Sequence, residues 1–527
     1  MLDTTNLESL LYEDQLLKQT VLGGIKLEGL DRMRVTLKVE LKATQRPPVR
    51  HNLDLYNDNQ LEKFIRKVAE RLEIGTSVIA ASLSALTEQL EHYRLEQIKR
   101  EQAEQVKLLT LTPQQQEEAT NHLKAANLLD QTLSDLQGSG IQGEAFNSLI
   151  VYLAMTSRKC QDPLSVICLA KSGAGKSYLM EKVAECIPAE DRKEHTQFSG
   201  NSFYYYQREE IRGMVFLIED LDGAQAVLFP IRELQTKKRI SKTVTVKDKN
   251  GQLRTVTLIV EGPVSVIGCT TREKVYEDNA NRAILIYLDN SKEQDERIMH
   301  YQKQLRAGLI DKAGEKQLQQ KLQHRQHLLE TVNVINPYAP LIDIPKEIFK
   351  PRRTLPILLS FIEAITFYHQ YQREQKADEN GELFIETHPQ DIEWAFKLLR
   401  DVLFRKSDEL SEAARTFYEW IKAKDRKLPQ KGFYGSDIRK ENRIHPRTLN
   451  RYLQELTDYG LLQIIGGNKH KTGYCYKIVP NKDYETLQKS IDQQVEKVLK
   501  AVQEAHTAKS KKPKRRTSRK PVGQSLN

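Results

Sequence analysis

"SVICLAKSGAGKSYLMEKVAECI", residues 165–187, decides how the rest of this 527-residue chain is read. An apolar run ends at Leu169-Ala170, the loop "KSGAGKS" follows, and a helical pattern starts at Lys176-Ser177. A strand, a tight loop and a helix N-terminus aim backbone N–H groups and a positive dipole end at one point, which suits a phosphate. Gly173 and Gly175 let the backbone approach closely. Lys176 would reach the β- and γ-phosphates of ATP, and the Ser177 hydroxyl would hold Mg2+. Ser172, Ala174 and Tyr178 complete the expected nucleotide-binding segment. One position departs from G-x-x-x-x-G-K-[ST]: its first Gly is Ala170 here.

Downstream, the apolar runs "GMVFLIED", "VSVIGCTT" and "RAILIYLD" alternate with helical patterns. Near-continuous hydrophobic strands of this kind imply a parallel sheet covered on both faces. The first run, continued as "MVFLIEDLD", ends in Glu219, Asp220 and Asp222, and two carboxylates there would hold Mg2+ and polarise an attacking water. The usual order is Asp then Glu; with Glu219 before Asp220, which one meets the metal stays open. The plainer alternative is a solvated strand end before a helix. Thr271, at the tip of the second run, would orient water against the γ-phosphate. Arg282, just before the third, would reach a neighbour's γ-phosphate.

Between these runs lies "TVTVKDKNGQLRTVTLIVEGP", residues 243–263. Two β-branched arms flank Asn250-Gly251, a pair that accepts the positive φ values of a tight hairpin turn. The alternating Val and Thr predict a ribbon with one packed face. Its tip carries Lys247, Lys249 and Arg254, which could track phosphates without reading bases.

The net charge is +10, of which the stretch 505–527, with five Lys, three Arg and no acidic residue, supplies +8. Its core, "KSKKPKRRTSRK", lacks apolar residues and is expected to be disordered; it is either a DNA-gripping arm or a solvated or targeting tail. The five cysteines form no C-x-x-C pair, which argues against a zinc site or a disulfide framework. No run reaches membrane-spanning length and the N-terminus has no signal-peptide pattern, so the expectation is a cytoplasmic protein, nucleoid-associated if bacterial. Residues 1–110 offer short strands ("RMRVTLKVEL", "RHNLDLY"), a helix and a long charged connector, but no catalytic chemistry.

Towards the C-terminus, "SEAARTFYEWIKAKD", "GSDIRKENRI" and "HPRTLNRYLQELTDYGLL" read as three helices, and "LQIIGG" and "YCYKIV" as strands around the basic turn "NKHKTG". Helix–helix–helix–wing is the winged-helix pattern. The third helix would present Arg447, Asn450 and Arg451, and the wing Lys469, His470 and Lys471, to DNA; winged helices also bind proteins.

The order of P-loop, acidic strand, hairpin, polar strand end and loop Arg resembles that of an AAA+ ATPase. "FLIEDLDGAQAVLFPIRELQTKKRISKTVTV" is similar to the part of MCM helicases that runs from the acidic element into the hairpin. "NRAILIYLDNSKEQDERIM" resembles the stretch with the finger Arg. "PRRTLPILLSFIEAITF" resembles the lid helix whose sensor Arg aligns with Arg353, and "THPQDIEWAFKLLRDVL" the closing lid helix. The likeness covers roughly residues 160–405. The usual MCM P-loop and "SRF" finger motif are not reproduced literally, so the resemblance is to MCM-like ATPases, among them those that accompany primases on bacterial mobile elements. It implies an ATP- and Mg2+-dependent DNA helicase or translocase, a homo-hexameric ring, a possible primase partner, no membrane partner, and a hairpin whose Lys247, Lys249 and Arg254 touch single-stranded or forked DNA in the channel. A DNA-binding regulator that uses ATP without unwinding is the alternative. A protein-remodelling machine is a third reading, weakened by a hairpin tip without an aromatic.

The expected architecture is multidomain α/β. It comprises an N-terminal α/β domain with connector helix (1–110), an AAA+ core with helical lid (111–405), a winged helix (406–485), and a helix with a basic disordered tail (486–527).

Overall fold

In the computed structural model, residues 2–6, 8–26, 32–42, 46–109, 111–170, 173–195, 199, 201–247, 253–271, 282–345, 348, 350–405, 410, 412–425, 432–442, 444–468, 473–479 and 483–511 are described. The chain divides into two units, residues 1–112 and 113–527.

The first unit is an antiparallel sheet whose strands lie in chain order: β1 (Leu2–Asp3), β2 (Ser9–Glu13), β3 (Leu17–Leu22), β4 (Arg34–Leu41) and β5 (Val49–Asp54). Only β4 and β5 were expected. In β4, Val35, Leu37 and Val39 alternate inward, as the two-residue period of a strand requires. That face is covered by Phe64, Val68 and Leu72 of α1 (Asp58–Leu72) and by Ile79, Leu83, Leu86 and Leu90 of α2 (Thr76–Leu109). The spacing of the α2 residues is that of one apolar helix stripe.

The second unit opens with α3 (Pro113–Lys124), α4 (Leu128–Gly138) and α5 (Ala145–Thr156). Then come β6 (Val166–Leu169), α6 (Lys176–Ala184), β7 (Arg192–His195), β8 (Met214–Ile218), α7 (Gln225–Lys237), β9 (Arg239–Lys247), β10 (Leu253–Glu261), β11 (Val264–Thr270) and β12 (Ile284–Tyr287). Five of these form a parallel sheet in the order β12-β6-β11-β8-β7. Every residue of β6 and β11 is buried, so both faces of the sheet centre are covered, and helix α5 is buried from Ser148 to Thr156. Strand β7, "RKEH", has no apolar side chain and joins the sheet only at its edge, beside β8, so no hydrophobic run announces it.

β9 and β10 make a separate antiparallel ribbon, paired from Arg239↔Glu261 to Lys247↔Leu253. The expected single packed face is confined to the base, where Ile240 and Val260 are buried; farther out, Leu253 to Thr257 are all exposed. Neighbouring side chains point to opposite faces of a strand, so in that outer half of β10 neither face is covered.

Beyond the sheet follow α8 (Lys292–Arg306), α9 (Lys312–Leu328), β13 (Asn333–Ile335), α10 (Pro351–Tyr368), β14 (Lys376–Ala377), β15 (Leu383–Glu386) and α11 (Pro389–Arg405). Strands β13, β15 and β14 form a small sheet. At the start of α11, buried Asp391 accepts from His388 N (2.9 Å), Thr366 Oγ1 (3.1 Å) and Arg373 Nη2 (2.6 Å), and lies 3.1 Å from His369 Nδ1. Burial raises the Asp391 pKa, but His369, Arg373 and the His388 N–H outweigh it, and the net shift is below the ordinary carboxylate value.

The stretch expected to form a winged helix contains α12 (Glu412–Asp425), β16 (Phe433–Tyr434), α13 (Gly435–Asn442), α14 (Pro446–Asp458), β17 (Leu462–Asn468) and β18 (Gly473–Ile478), with sheet order β16-β18-β17. The last element, α15 (Asp483–Lys511), corrects two expectations. It takes in the first three residues of "KSKKPKRRTSRK" as helix; the remainder of that basic stretch lies outside the described residues. Nor is it a separate appendage: Val498 and Val502 sit in the same core cluster as Ile392 and Leu399 of α11. Arg400 pairs with Asp492 through two bonds of 2.8 and 2.7 Å, and Tyr338 Oη lies 2.7 Å from His506 Nδ1. The segment between α11 and α15 is thus held at both ends by one core.

Candidate functional site

The loop after β6 has the shape its glycines allow. Gly173 and Gly175 have φ of +82° and +88°, values that L side chains rarely adopt, and a Cβ on either would meet nothing within 4 Å. The space over the loop is therefore open. Half-buried Ala174 lies between them, and Gly175 caps α6 in the left-handed conformation. Among the described residues the non-glycine positions of positive φ are Glu73, Glu144, Lys238 and Lys350; Ala170 is not one of them, so this departure from the glycine pattern carries no backbone strain. Its carbonyl accepts from Lys176 Nζ at 2.7 Å, which folds the buried lysine back across the loop. Ser177 is half-buried in the first turn of α6; Tyr178 is exposed and its hydroxyl donates to Gly140 O at 3.1 Å. Ser172 lies outside the described residues.

Strand register positions the carboxylates. Gly268 of β11 is level with Ile167 of β6 and with Ile218 of β8. Two residues farther on, Leu169 and Thr270 share one level; β8 has ended at Ile218, and the acid turn after it is tied back to β11 by Leu221 N donating to Cys269 O at 2.9 Å. β6 and β8 are two strand spacings apart, about 10 Å, which leaves room for a phosphate and a metal between loop and acid. Glu219 and Asp220 are both exposed. Glu181, one turn past Ser177 on α6, has its pKa raised by burial and then by the Glu219 charge, so Glu219 faces the helix that carries Ser177. Asp220 Oδ1 instead accepts from Asp222 N at 2.9 Å.

Asp222 is more central than its place in the sequence suggests. It accepts from Thr270 Oγ1 (2.7 Å), Thr271 N (3.1 Å) and Thr271 Oγ1 (3.0 Å), bracketing the acid turn to the tip of β11. The Thr271 hydroxyl proton is thereby engaged, so donation to a phosphate requires that bond to exchange. Gly268 makes the bracket possible: a Cβ there would come within 2.6 Å of Leu221, the residue that crosses over β11. The trace it leaves in the sequence is an isolated Gly inside an apolar run, which the sequence reading did not use.

Mg2+ suits this donor set. A hydroxyl and one or two carboxylates beside phosphate oxygens are the hard oxygen ligands it takes, and it keeps several waters rather than a protein cage. No group of three or more His, Cys, Asp or Glu that could hold a metal occurs among the described residues. All five cysteines are free thiols.

Arg282 lies at the opposite edge of the sheet from the loop. Ile284 is level with Val166 and donates to Ser165 O, so Arg282 stands before the first residues of the strands. Its Nη1 donates to Thr236 Oγ1, on the α7 turn that also holds Ser165 through Gln235. It cannot serve the nucleotide of its own chain. Arg353 is exposed in the first turn of α10.

Of the expected DNA-contacting residues, Arg254 is exposed on the ribbon. Lys247 ends β9, with only its backbone described, and Lys249 lies outside the described residues. Arg447 and Arg451 are exposed along α14, as is Asn450; Lys469, His470 and Lys471 lie outside the described residues.

A parallel sheet with a phosphate loop between its first strand and helix, and acids at the end of a strand two places away, defines a P-loop nucleotide-binding domain of α/β fold, a class that hydrolyses nucleoside triphosphates in general. In agreement, residues 110–324 match the model of a family described as the MTBMA_p00010 P-loop domain. A comparison with curated proteins found no match. No helix among the described residues is long and apolar enough to cross a membrane.

Proposed function

We propose that the chain is an MCM-like AAA+ ATPase that hydrolyses ATP with Mg2+ and acts on DNA as a hexameric helicase or translocase, in the replication of a mobile element. The observation that carries this reading is the continuity of β11. The seven-residue strand starts directly after the ribbon and ends at Thr270, level with Leu169 before the phosphate loop and bonded through its hydroxyl to Asp222 of the acid turn. A change at the γ-phosphate that shifts the tip of this strand is transmitted along about 20 Å of fully buried backbone to the base of the ribbon.

In the proposed reaction, Lys176 and Ser177 hold phosphate and metal. Glu219 assists the metal, on the side of α6, and Asp220 polarises water. Arg282 of a neighbouring subunit and Arg353 stabilise transition-state charge. The segment 412–478, with its helices and three-stranded sheet, acts as a winged helix that adds DNA affinity through Arg447 and Arg451. A forked-DNA unwinding assay with ATP tests the proposal. Unwinding that stops when ATP is withheld supports it. DNA-stimulated hydrolysis without strand separation supports the regulator instead.

A further inference from the structure

The base of the ribbon carries a groove that the nucleotide site does not use. Tyr204, Phe229, Glu233, Lys237 and Arg239 line its volume of about 480 Å3. Phe229 is 57% exposed, and Tyr205, beside Tyr204, is 66% exposed. Among the described residues, the core cluster of this region has Tyr204 and Tyr206 at its margin but neither Tyr205 nor Phe229. Cations lie over the rings: Lys242 Nζ is 5.5 Å from the Tyr204 centroid and the Arg232 guanidinium 5.9 Å from that of Phe229. Lys242 also donates to Asn201 Oδ1 at 2.7 Å. The Glu233 carboxylate pairs with Lys237 at 2.6 Å. Glu261, opposite Arg239 in the ribbon, is held by Arg208 and Arg212. With Glu233 paired to Lys237, Arg239 in the lining and Lys242 over the Tyr204 ring give this face an excess of positive charge.

Exposed aromatic faces interleaved with cations are what single-stranded nucleic acid requires. Bases stack on the rings, phosphates meet the charges, and a duplex, whose bases are already stacked, cannot use the rings. β9 carries Arg239 and Lys242 at the ribbon base and runs on to Lys247 at its far end, so tip and groove share one strand. We propose that this groove is a base-stacking site for single-stranded DNA, with Phe229 as the stacking face in its lining, Tyr205 as a second face next to its lining residue Tyr204, and Arg239 and Lys242 on the phosphates. The proposal rests on the DNA-motor reading above and adds to it a preference for unpaired bases, which ribbon-tip cations cannot provide.

The test is fluorescence anisotropy on the full chain with three labelled probes: oligothymidylate, an abasic oligonucleotide of the same length, and a duplex. The parent should bind oligothymidylate most tightly. Phe229→Ala and Tyr205→Ala should each weaken oligothymidylate binding about tenfold, leave abasic binding and the melting temperature unchanged, and Phe229→Trp should restore affinity. Replacing Lys247, Lys249 and Arg254 by Ala should weaken all three probes and keep the preference for bases. The stacking site is overturned if both aromatic variants bind oligothymidylate like the parent, if they weaken the abasic probe equally, or if the parent does not distinguish bases from abasic backbone. A fourth probe, oligouridylate, tests the sugar: tighter binding of it than of oligothymidylate overturns the assignment to DNA. A parent that binds none of the probes overturns the motor reading itself.

Discussion

Replacing Arg282 by Ala asks whether the nucleotide site is completed by a second copy of the chain. Ile284 is level with Val166 and Tyr287 with Leu169, so Arg282 stands level with Leu164. Six strand residues separate that level from the loop after Ala170, roughly 20 Å at the rise of a parallel strand. No Arg side chain spans that distance, so a direct contact with nucleotide can only be with a neighbour's. The variant should bind ATP like the parent and lose hydrolysis by about 10³-fold or more, the typical worth of an arginine finger. Mixing it with Lys176→Ala sharpens the test. An interface regains function when an Arg282→Ala subunit supplies the phosphate loop and a Lys176→Ala subunit supplies the arginine. In a randomly assembled one-to-one ring, roughly one interface in four meets that condition, so phosphate release should recover towards a quarter of the parent rate. Native mass spectrometry establishes that mixed assemblies form. If they form and phosphate release stays at the level of the separate variants, Arg282 does not act in trans.

Lys176→Ala should abolish hydrolysis, because it removes the charge that neutralises the transferred phosphoryl group; full turnover would overturn the phosphate-loop assignment. Asp220→Asn should still bind ATP and hydrolyse it slowly, whereas loss of binding, read by a fluorescent nucleotide, would move Asp220 to the metal. Replacing Lys247, Lys249 and Arg254 together by Ala should flatten the salt dependence of DNA binding by a slope of about 0.7 for each single-strand phosphate that is no longer neutralised; an unchanged slope and unchanged unwinding would reduce the hairpin to a soluble turn. That measurement belongs in the full chain, since a chain ending at Arg405 lacks the Val498 and Val502 that α15 contributes to the core. Asp391→Asn should cost about 3–5 kcal/mol at neutral pH by leaving Arg373 without its buried counter-charge. The folded Asp391 pKa lies below its ordinary value, so its contribution is present above that value and disappears as pH falls through the folded one. Denaturant unfolding should therefore show parent and variant converging in acid, and a constant gap would exclude Asp391 as the source.

Sequence alone determined the phosphate loop and the four apolar strands around it. Both signals are local: Gly173 and Gly175 are demanded by the backbone itself, and strands buried on both faces show as unbroken hydrophobic runs. The hairpin was legible too, because β-branched arms around Asn-Gly encode a ribbon without reference to anything else. What the ribbon packs against was not legible, and the expected covered face proved to be confined to its base. Edge strand β7 escaped notice because an edge position does not require apolar residues, and the sheet order β12-β6-β11-β8-β7 is a matter of which strands pair, not of what each contains. Only the tertiary structure joined Asp222 to Thr270 and Thr271, 48 and 49 residues away, carried Arg282 to the far edge of the sheet, and returned α15 to the core. These contacts come from strand register and helix docking, which depend on pairings between distant segments and leave no periodic trace in the residues that make them.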